Sequence, residues 1–151
     1  MHRIISKLAP CVAVGALAML TAKDGFCTLT GPGVTMNAYY PGDVGCFSGQ
    51  SYGAIINNCA TSRWVVGTLD VSQNVYHPTS VYVYGSNTMC HSVQINGVGN
   101  GADVGPDTWT VAGPKTWQNL NTGSRYAFSG TGLLFRCYLE AGGIIGRISA
   151  D

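Results

Sequence analysis

Apolar and polar residues alternate in short runs along this chain, which is the period of a β-strand and not of a helix. The clearest runs are 63–71, 80–84, 89–95, 133–140 and 144–148, with shorter ones at 54–56 and 28–36. Gly or Pro interrupts almost every window that could hold three helical turns. The pattern therefore predicts an all-β chain.

Two of these runs divide cleanly into faces. Val81 and Val83 share one face of the run 80–84, and Tyr82 and Tyr84 share the other. In the last long run the first face comprises Leu133, Phe135, Cys137 and Leu139, and the second comprises Leu134, Arg136, Tyr138 and Glu140. We assign Trp64, inside another run, to the core because a tryptophan buries a large area.

The stretch 96–122 is rich in Gly, Asn, Asp and Pro and contains two of the three Trp residues. It predicts loops around at most one or two short strands. With roughly eight to ten short strands in all, the expected fold class is all-β, an antiparallel two-sheet sandwich or jelly-roll with disulfides.

The first residues have the pattern of an export signal. Arg3 and Lys7 precede an apolar run that ends near Leu20, after which the chain turns polar. The run is shorter than the about 20 residues of a membrane span. We expect a signal peptide over 1–22, cleaved after Ala22 or after Ala18, and one secreted β domain over 23–151, located outside the cell, at its surface or in the periplasm.

Charge excludes several classes of partner. The chain has 8 basic and 7 acidic residues, and loss of Arg3 and Lys7 with the signal leaves 6 − 7, or −1. No basic patch favours nucleic acid, and no charge run favours a membrane surface once the signal is removed. No cofactor motif is present, and we predict none.

Five cysteines remain after export: Cys27, Cys46, Cys59, Cys90 and Cys137. Cysteines pair in an oxidising compartment, and an odd number leaves one over. We favour a Cys90–Cys137 disulfide, then Cys46–Cys59, with Cys27 unpaired.

The Cys90–Cys137 pairing conflicts with the face pattern of its two strands. Cys90 falls with Ser92 and Gln94 on the more polar face of 89–95, whereas Cys137 is on an apolar face. The disulfide would therefore join a polar face to an apolar one, unless a β-bulge shifts the register.

One motif suggests catalysis. The sequence GQSYG at 49–53 matches the G-x-S-x-G of serine hydrolases, and Asp70 with His77 or His91 follows Ser51 in a permitted order. No helix or parallel sheet is expected around it, so we predict a turn and keep a serine hydrolase as a distant alternative. Glu140, the only Glu, lacks a partner for glycoside hydrolysis and is expected at the surface. We predict that the protein is not an enzyme.

Metal sites are also weakly indicated. Asp103 and Asp107 follow the glycine-rich run 97–101, but calcium needs six or more oxygen ligands, so these two are weak calcium candidates. His77 and His91 have no zinc-ligand spacing. We predict a solvated loop and no metal.

Aromatic residues next to turns and loops give the remaining hypothesis. Trp109, Trp117, Tyr39 and Tyr40 are candidate ligand-binding residues, because exposed rings stack on sugars and anchor protein interfaces. The function predicted is a non-catalytic module that binds carbohydrate or another ligand, including protein. The alternative is a self-associating structural protein of an extracellular or cell-surface coat, suggested by Cys27 and the low net charge.

Several short segments carry a resemblance to known proteins. They are Asn57-Asn58 before Val65-Val66, Val81-Tyr82-Val83-Tyr84, Met89-Cys90, and the final strands through Phe135-Arg136-Cys137 to Ile148-Ser149. Over roughly residues 55–149 the chain resembles small secreted bacterial β-rich proteins of unassigned function. Those proteins often have a cysteine just after the Val-Val pair, where this chain has Gly67. The resemblance implies no catalytic residues.

Overall fold

The computed structural model describes residues 22–23, 26–27, 29–71, 74–95, 102–128 and 131–151. Residues 1–21 of the predicted signal peptide lie outside this part. The strands are β1 (Ala22–Lys23), β2 (Phe26–Cys27), β3 (Leu29–Pro32), β4 (Asn37–Ala38), β5 (Phe47–Gly49), β6 (Ile55–Asn57), β7 (Arg63–Asp70), β8 (Val75–Gly85), β9 (Met89–Ile95), β10 (Ala102–Val104), β11 (Thr108–Trp109), β12 (Thr116–Ala127), β13 (Gly132–Leu139) and β14 (Ile144–Ala150). Helix in the described residues is limited to two short 3₁₀ segments, Gly33–Thr35 and Pro41–Cys46.

Two antiparallel sheets form the domain, which confirms the predicted fold class. Sheet 1 has the order β10-β9-β13-β7-β4, with β11 also paired to β9. Sheet 2 has the order β12-β8-β14-β6-β5, and β3 pairs with the same edge of β14 as β6. β1 and β2 form a separate hairpin.

The core lies between the sheets and is built from alternate residues of the long strands. The fully buried side chains include Val65, Val81, Val83, Leu133, Phe135, Leu139, Ile145 and Ile148. Tyr82 and Tyr84 on β8, like Arg136 and Tyr138 on β13, are only partly buried. The faces predicted for these two strands are therefore confirmed.

Disulfides join Cys46 to Cys59 and Cys90 to Cys137, the two pairs proposed from the sequence. The side chain of Cys27 lies outside the described part. The Cys90–Cys137 disulfide joins residues that are 47 positions apart and links β9 to β13 in sheet 1. Cross-links of this kind are common in proteins that fold in oxidising compartments, where they restrict the unfolded chain.

Among the described residues there is no helix with the length and apolar character of a membrane span.

The conflict of faces expected for this pairing does not arise, and no β-bulge shifts its register. Cys90 lies directly opposite Cys137 in an unbroken register, because the more polar face of β9 is the one that points into the core. Ser92, on the same face, is fully buried and its hydroxyl donates to the carbonyl of Thr122 at 2.9 Å. A second hydroxyl, Thr79 Oγ1 of sheet 2, lies 2.9 Å from Ser92 Oγ and 2.8 Å from Thr122 Oγ1. Polar groups are tolerated in the core because they are bonded across the two sheets.

β12 corrects the sequence analysis, which expected loops and at most short strands up to residue 122. At 12 residues it is the longest strand among the described residues. Its alternation is weak because inward Thr122 is polar and outward Trp117 is apolar. The register also shifts between Asn121 and Gly123, leaving Thr122 as an extra residue. Such a bulge disrupts the period of two that reveals a strand in sequence.

Asn57 is a buried polar residue that connects three segments. Its Nδ2 lies 2.9 Å from the carbonyl oxygen of Leu139 and 3.0 Å from that of Thr61. Its Oδ1 accepts from the N–H of Cys59 at 3.0 Å. Because Asn57 is completely buried, removal of its amide would leave these groups without water to replace it.

We expect Asn57→Ala to lower the free energy of unfolding by about 2–3 kcal/mol, because carbonyl and N–H groups would be left unpaired in the interior. Exposed Asn58 is the matched control, since its side chain makes one contact, to Ser48. Asn58→Ala should change stability by less than about 0.5 kcal/mol. Urea denaturation with intact disulfides measures both, and equal effects of the two substitutions would contradict the role given to Asn57.

Candidate functional site

A β-bulge in β14 shapes the outer surface of sheet 2. Ile145 pairs with Val83, and Arg147 pairs with the next residue of β8, Tyr82, so Gly146 is extra. Ile145 and Ile148 are both fully buried. Gly146 and Arg147 are therefore two consecutive residues on the outer face, an arrangement that a regular strand cannot give.

Above this bulge the outer face forms a groove of about 470 Å³, which we call the aromatic groove; its lining residues are Tyr52, Tyr82, Trp117, Gly146 and Arg147. The rings of Tyr82 and Trp117 are stacked, with centroids 4.8 Å apart and planes at 10°. The Arg147 guanidinium carbon lies 5.5 Å from the Tyr82 ring centroid. The groove thus combines flat apolar surface with one cationic group.

Each wall of the aromatic groove comes from a different element. Trp117 on β12 lies opposite Tyr84 on β8, and their rings also touch, with centroids 5.6 Å apart. Gly146 contributes only backbone, which lets the indole of Trp117 pack closely against the strand. Tyr52, 63% exposed, belongs to the turn between β5 and β6. The turn is closed by Gln50 N–H to Ala54 O at 2.7 Å, and Gly53 in it has φ of 81°, which favours glycine.

This same turn contains the GQSYG motif. Ser51 is exposed in it, and β6 follows in place of the helix that a hydrolase would require. The histidines that the motif would need have other partners. His77 Nδ1 lies 3.1 Å from Asp151 O, and His91 Nδ1 lies 2.9 Å from Asp107 Oδ1.

The two weak calcium candidates, Asp103 and Asp107, each lie near a basic side chain. Asp103 lies 3.6 Å from Arg125, while Asp107 bonds His91, so each weak calcium candidate faces a different basic side chain. No cluster of three potential metal ligands occurs among the residues that the structure describes.

Glu140 corrects the expectation of a surface residue. Its side chain is only 12% exposed. The carboxylate accepts from the backbone N–H groups of Ser86 and Asn87, in the turn that joins β8 to β9. Lys115 lies 3.8 Å from it on the other side. Glu140 therefore holds a turn in place.

The outer face of sheet 1 carries a second set of rings. The Arg136 guanidinium lies 4.3 Å from the Tyr39 ring and 4.9 Å from the Trp64 ring, and Trp64 also contacts Tyr138. The assignment of Trp64 to the core is wrong, because the inward positions of β7 belong to its neighbours Val65, Gly67 and Leu69.

The four aromatic candidates are therefore not brought together. Trp117, 39% exposed, lies in the aromatic groove. Tyr39 covers Arg136 on the other sheet, and exposed Tyr40 touches the edge of the Tyr39 ring. Trp109, 52% exposed, lies on β11, at the edge of sheet 1.

Sequence reasoning missed four of the five groove residues: Tyr52, Tyr82, Gly146 and Arg147. One local signal existed. Ile145 and Ile148 are three apart, and both can be buried in one strand only if a residue between them is extra. The contribution of Tyr52 had no such signal, because it depends on where the β5–β6 turn lies relative to β14.

No family model matches the chain. No curated protein sequence matches it. Among solved structures, insecticidal crystal protein Cry2Aa is similar with a TM-score of 0.58 and 13% identity, over 85% of this chain and 22% of that chain. A Podospora anserina GH26-CBM35 β-(1,4)-mannanase is similar with a TM-score of 0.51 and 13% identity, over 82% of this chain and 27% of that one. The chain thus spans about a quarter of the length of these proteins, and the likeness establishes a shared β fold.

We expect Gly146→Ala to disturb the aromatic groove. An added Cβ would lie 3.2 Å from Trp117 Cζ3 and 3.4 Å from Tyr82 Cδ1, so the stacked rings would have to move by a few tenths of an ångström. The near-ultraviolet circular dichroism should change, at a cost of about 1 kcal/mol in stability. Gly45→Ala is the control, because no atom lies within 4 Å of its added Cβ. A spectrum unchanged by Gly146→Ala would contradict this packing.

Proposed function

We propose that this protein is a non-catalytic carbohydrate-binding module and that its ligand lies in the aromatic groove. The observation that carries the proposal is the stacked Tyr82–Trp117 pair, which packs against the backbone of Gly146 in an outward-facing groove. Sugar rings present patches of C–H groups that pack on flat aromatic surface. The absence of a side chain at Gly146 lets both aromatic rings lie close to the sheet, which holds this flat surface in place.

The position of the aromatic groove favours a preformed site. Tyr82, Trp117 and Arg147 lie on β8, β12 and β14, which are paired with one another across sheet 2. Side chains on paired strands are held more firmly than side chains on loops, so little order has to be gained on binding. Tyr52, on a turn, is the one wall residue with freedom to adjust.

The chemistry of the lining residues supports binding over catalysis. The five residues comprise three aromatic side chains, one glycine and one arginine. None is a carboxylate, histidine or cysteine, the side chains that general acid–base or nucleophilic catalysis uses most often.

The fold comparison makes carbohydrate the first ligand class to test. The mannanase that shares the β fold is described as containing a carbohydrate-binding module, CBM35. A secreted location is part of the proposal and is in keeping with the two disulfides.

Strand edges bear on the alternative of a self-associating coat protein. Side chains bond the backbone along β12: Thr108 Oγ1 donates to Asn121 O at 2.8 Å, and Gln94 Oε1 accepts from Tyr126 N–H at 3.1 Å. β4, β5, β10 and β11 have only two or three residues each. An edge strand that is short, or whose backbone is already bonded by side chains, is a poor template for the addition of another strand. We therefore place ligand binding first.

The test is glycan binding by two matched tryptophan variants, first on an array and then by calorimetry. Trp117→Ala should weaken binding at least about tenfold, because it removes one of the two stacked rings. Trp109→Ala removes an equally large exposed ring outside the aromatic groove and should leave the affinity unchanged. Tyr52→Ala should weaken binding to an intermediate degree.

Thermal unfolding of each variant shows whether a loss of binding reflects a loss of fold. Loss of binding in Trp109→Ala with retention in Trp117→Ala would move the site to the edge of sheet 1. Absence of binding to every glycan class would contradict the proposal.

A further inference from the structure

Most cationic side chains of the described residues have a carboxylate partner. Arg63 lies 3.0 Å from Asp43, Arg125 lies 3.6 Å from Asp103, and Lys115 lies 3.8 Å from Glu140. Within the described ranges, Arg136 and Arg147 have no carboxylate within 4 Å. Arg136 is held between the rings of Tyr39 and Trp64 on sheet 1. Arg147 is exposed and lies in the aromatic groove.

Among the described residues, none near Arg147 carries a negative charge to balance it. Its cross-strand partners are Pro32 on β3 and Tyr82 on β8. The other four groove residues are neutral, and the Tyr82 ring lies 5.5 Å below the guanidinium. A ring contact of this kind restrains the guanidinium while its N–H groups stay open to a ligand.

We propose that the ligand of the aromatic groove is an acidic polysaccharide whose uronic-acid carboxylate binds Arg147. This inference rests on the proposed function and specifies its ligand. A sugar ring packed on the aromatic surface of the groove would direct a ring substituent towards Arg147, which lines the same groove. The planar guanidinium bonds a carboxylate through two parallel N–H groups, a geometry that a lysine cannot supply.

The test compares the affinities of matched ligands for the full secreted domain. The probes are a panel of uronic-acid oligosaccharides, the carboxyl-reduced counterpart of each, and a sulfated neutral oligosaccharide. We expect at least about tenfold tighter binding of an acidic oligosaccharide than of its reduced counterpart. The preference should fall sharply near 1 M salt, where the screening length is about 3 Å.

Three arginine variants locate this preference. Arg147→Gln should bind an acidic oligosaccharide and its reduced counterpart equally, and Arg147→Lys should retain only part of the preference. Arg63→Gln removes one positive charge from sheet 1 and should retain the whole preference for the acidic oligosaccharide. This control separates a local contact from a change in net charge. Trp117→Ala should lower the affinity for both ligands by the same factor.

The possible failures are distinguishable. If acidic and reduced ligands bind equally well and Trp117→Ala binds neither, the acidic-ligand inference is overturned and the carbohydrate-binding proposal stands. A preference that survives in Arg147→Gln, or binding of the sulfated ligand alone, would overturn the uronic-acid assignment. If no ligand of any kind binds, both proposals fail.

Discussion

Ile145 and Ile148 must both reach the core from β14, and their spacing of three makes this impossible for a regular strand. The bulge at Gly146 resolves the conflict. It keeps both isoleucines buried, sets the register of β14 on β8, and places Gly146 and Arg147 side by side on the outer face. The aromatic groove and the charge within it follow from a requirement of the core.

The sequence predicted most of the fold because burial on one face produces a period of two. β8 and β13 have that period over their full central lengths, and their inward and outward faces were predicted correctly. Trp64 was misplaced because its size was weighed above the period set by Val65 and Leu69; on the outer face, contacts with Arg136 and Tyr138 replace burial. The inward face of β9 was missed because Ser92 is polar, and its stability inside depends on Thr79, a partner on the other sheet.

The candidate site was much harder to predict than the fold. Trp117 stood out because it lies in a stretch rich in turn residues, although that stretch proved to contain a long strand. The contributions of Tyr82 and Tyr52 follow from the pairing of β12 with β8 and from the position of the β5–β6 turn. Such information is absent from any local window of sequence. Four aromatic candidates that share one chemical character are divided between different parts of the surface, so composition alone could not distinguish them.

The bulge also suggests how a plain sandwich could acquire a surface feature by a very small genetic step. Without Gly146, the segment around it would read Ile-Arg-Ile, a perfect alternation with arginine outward and both isoleucines inward. Insertion of a single codon for glycine into such a strand would leave the interior unchanged, and it would let two aromatic rings pack against the backbone on the outer face. Related chains with and without this one residue would then differ in what their surfaces recognise while keeping one architecture.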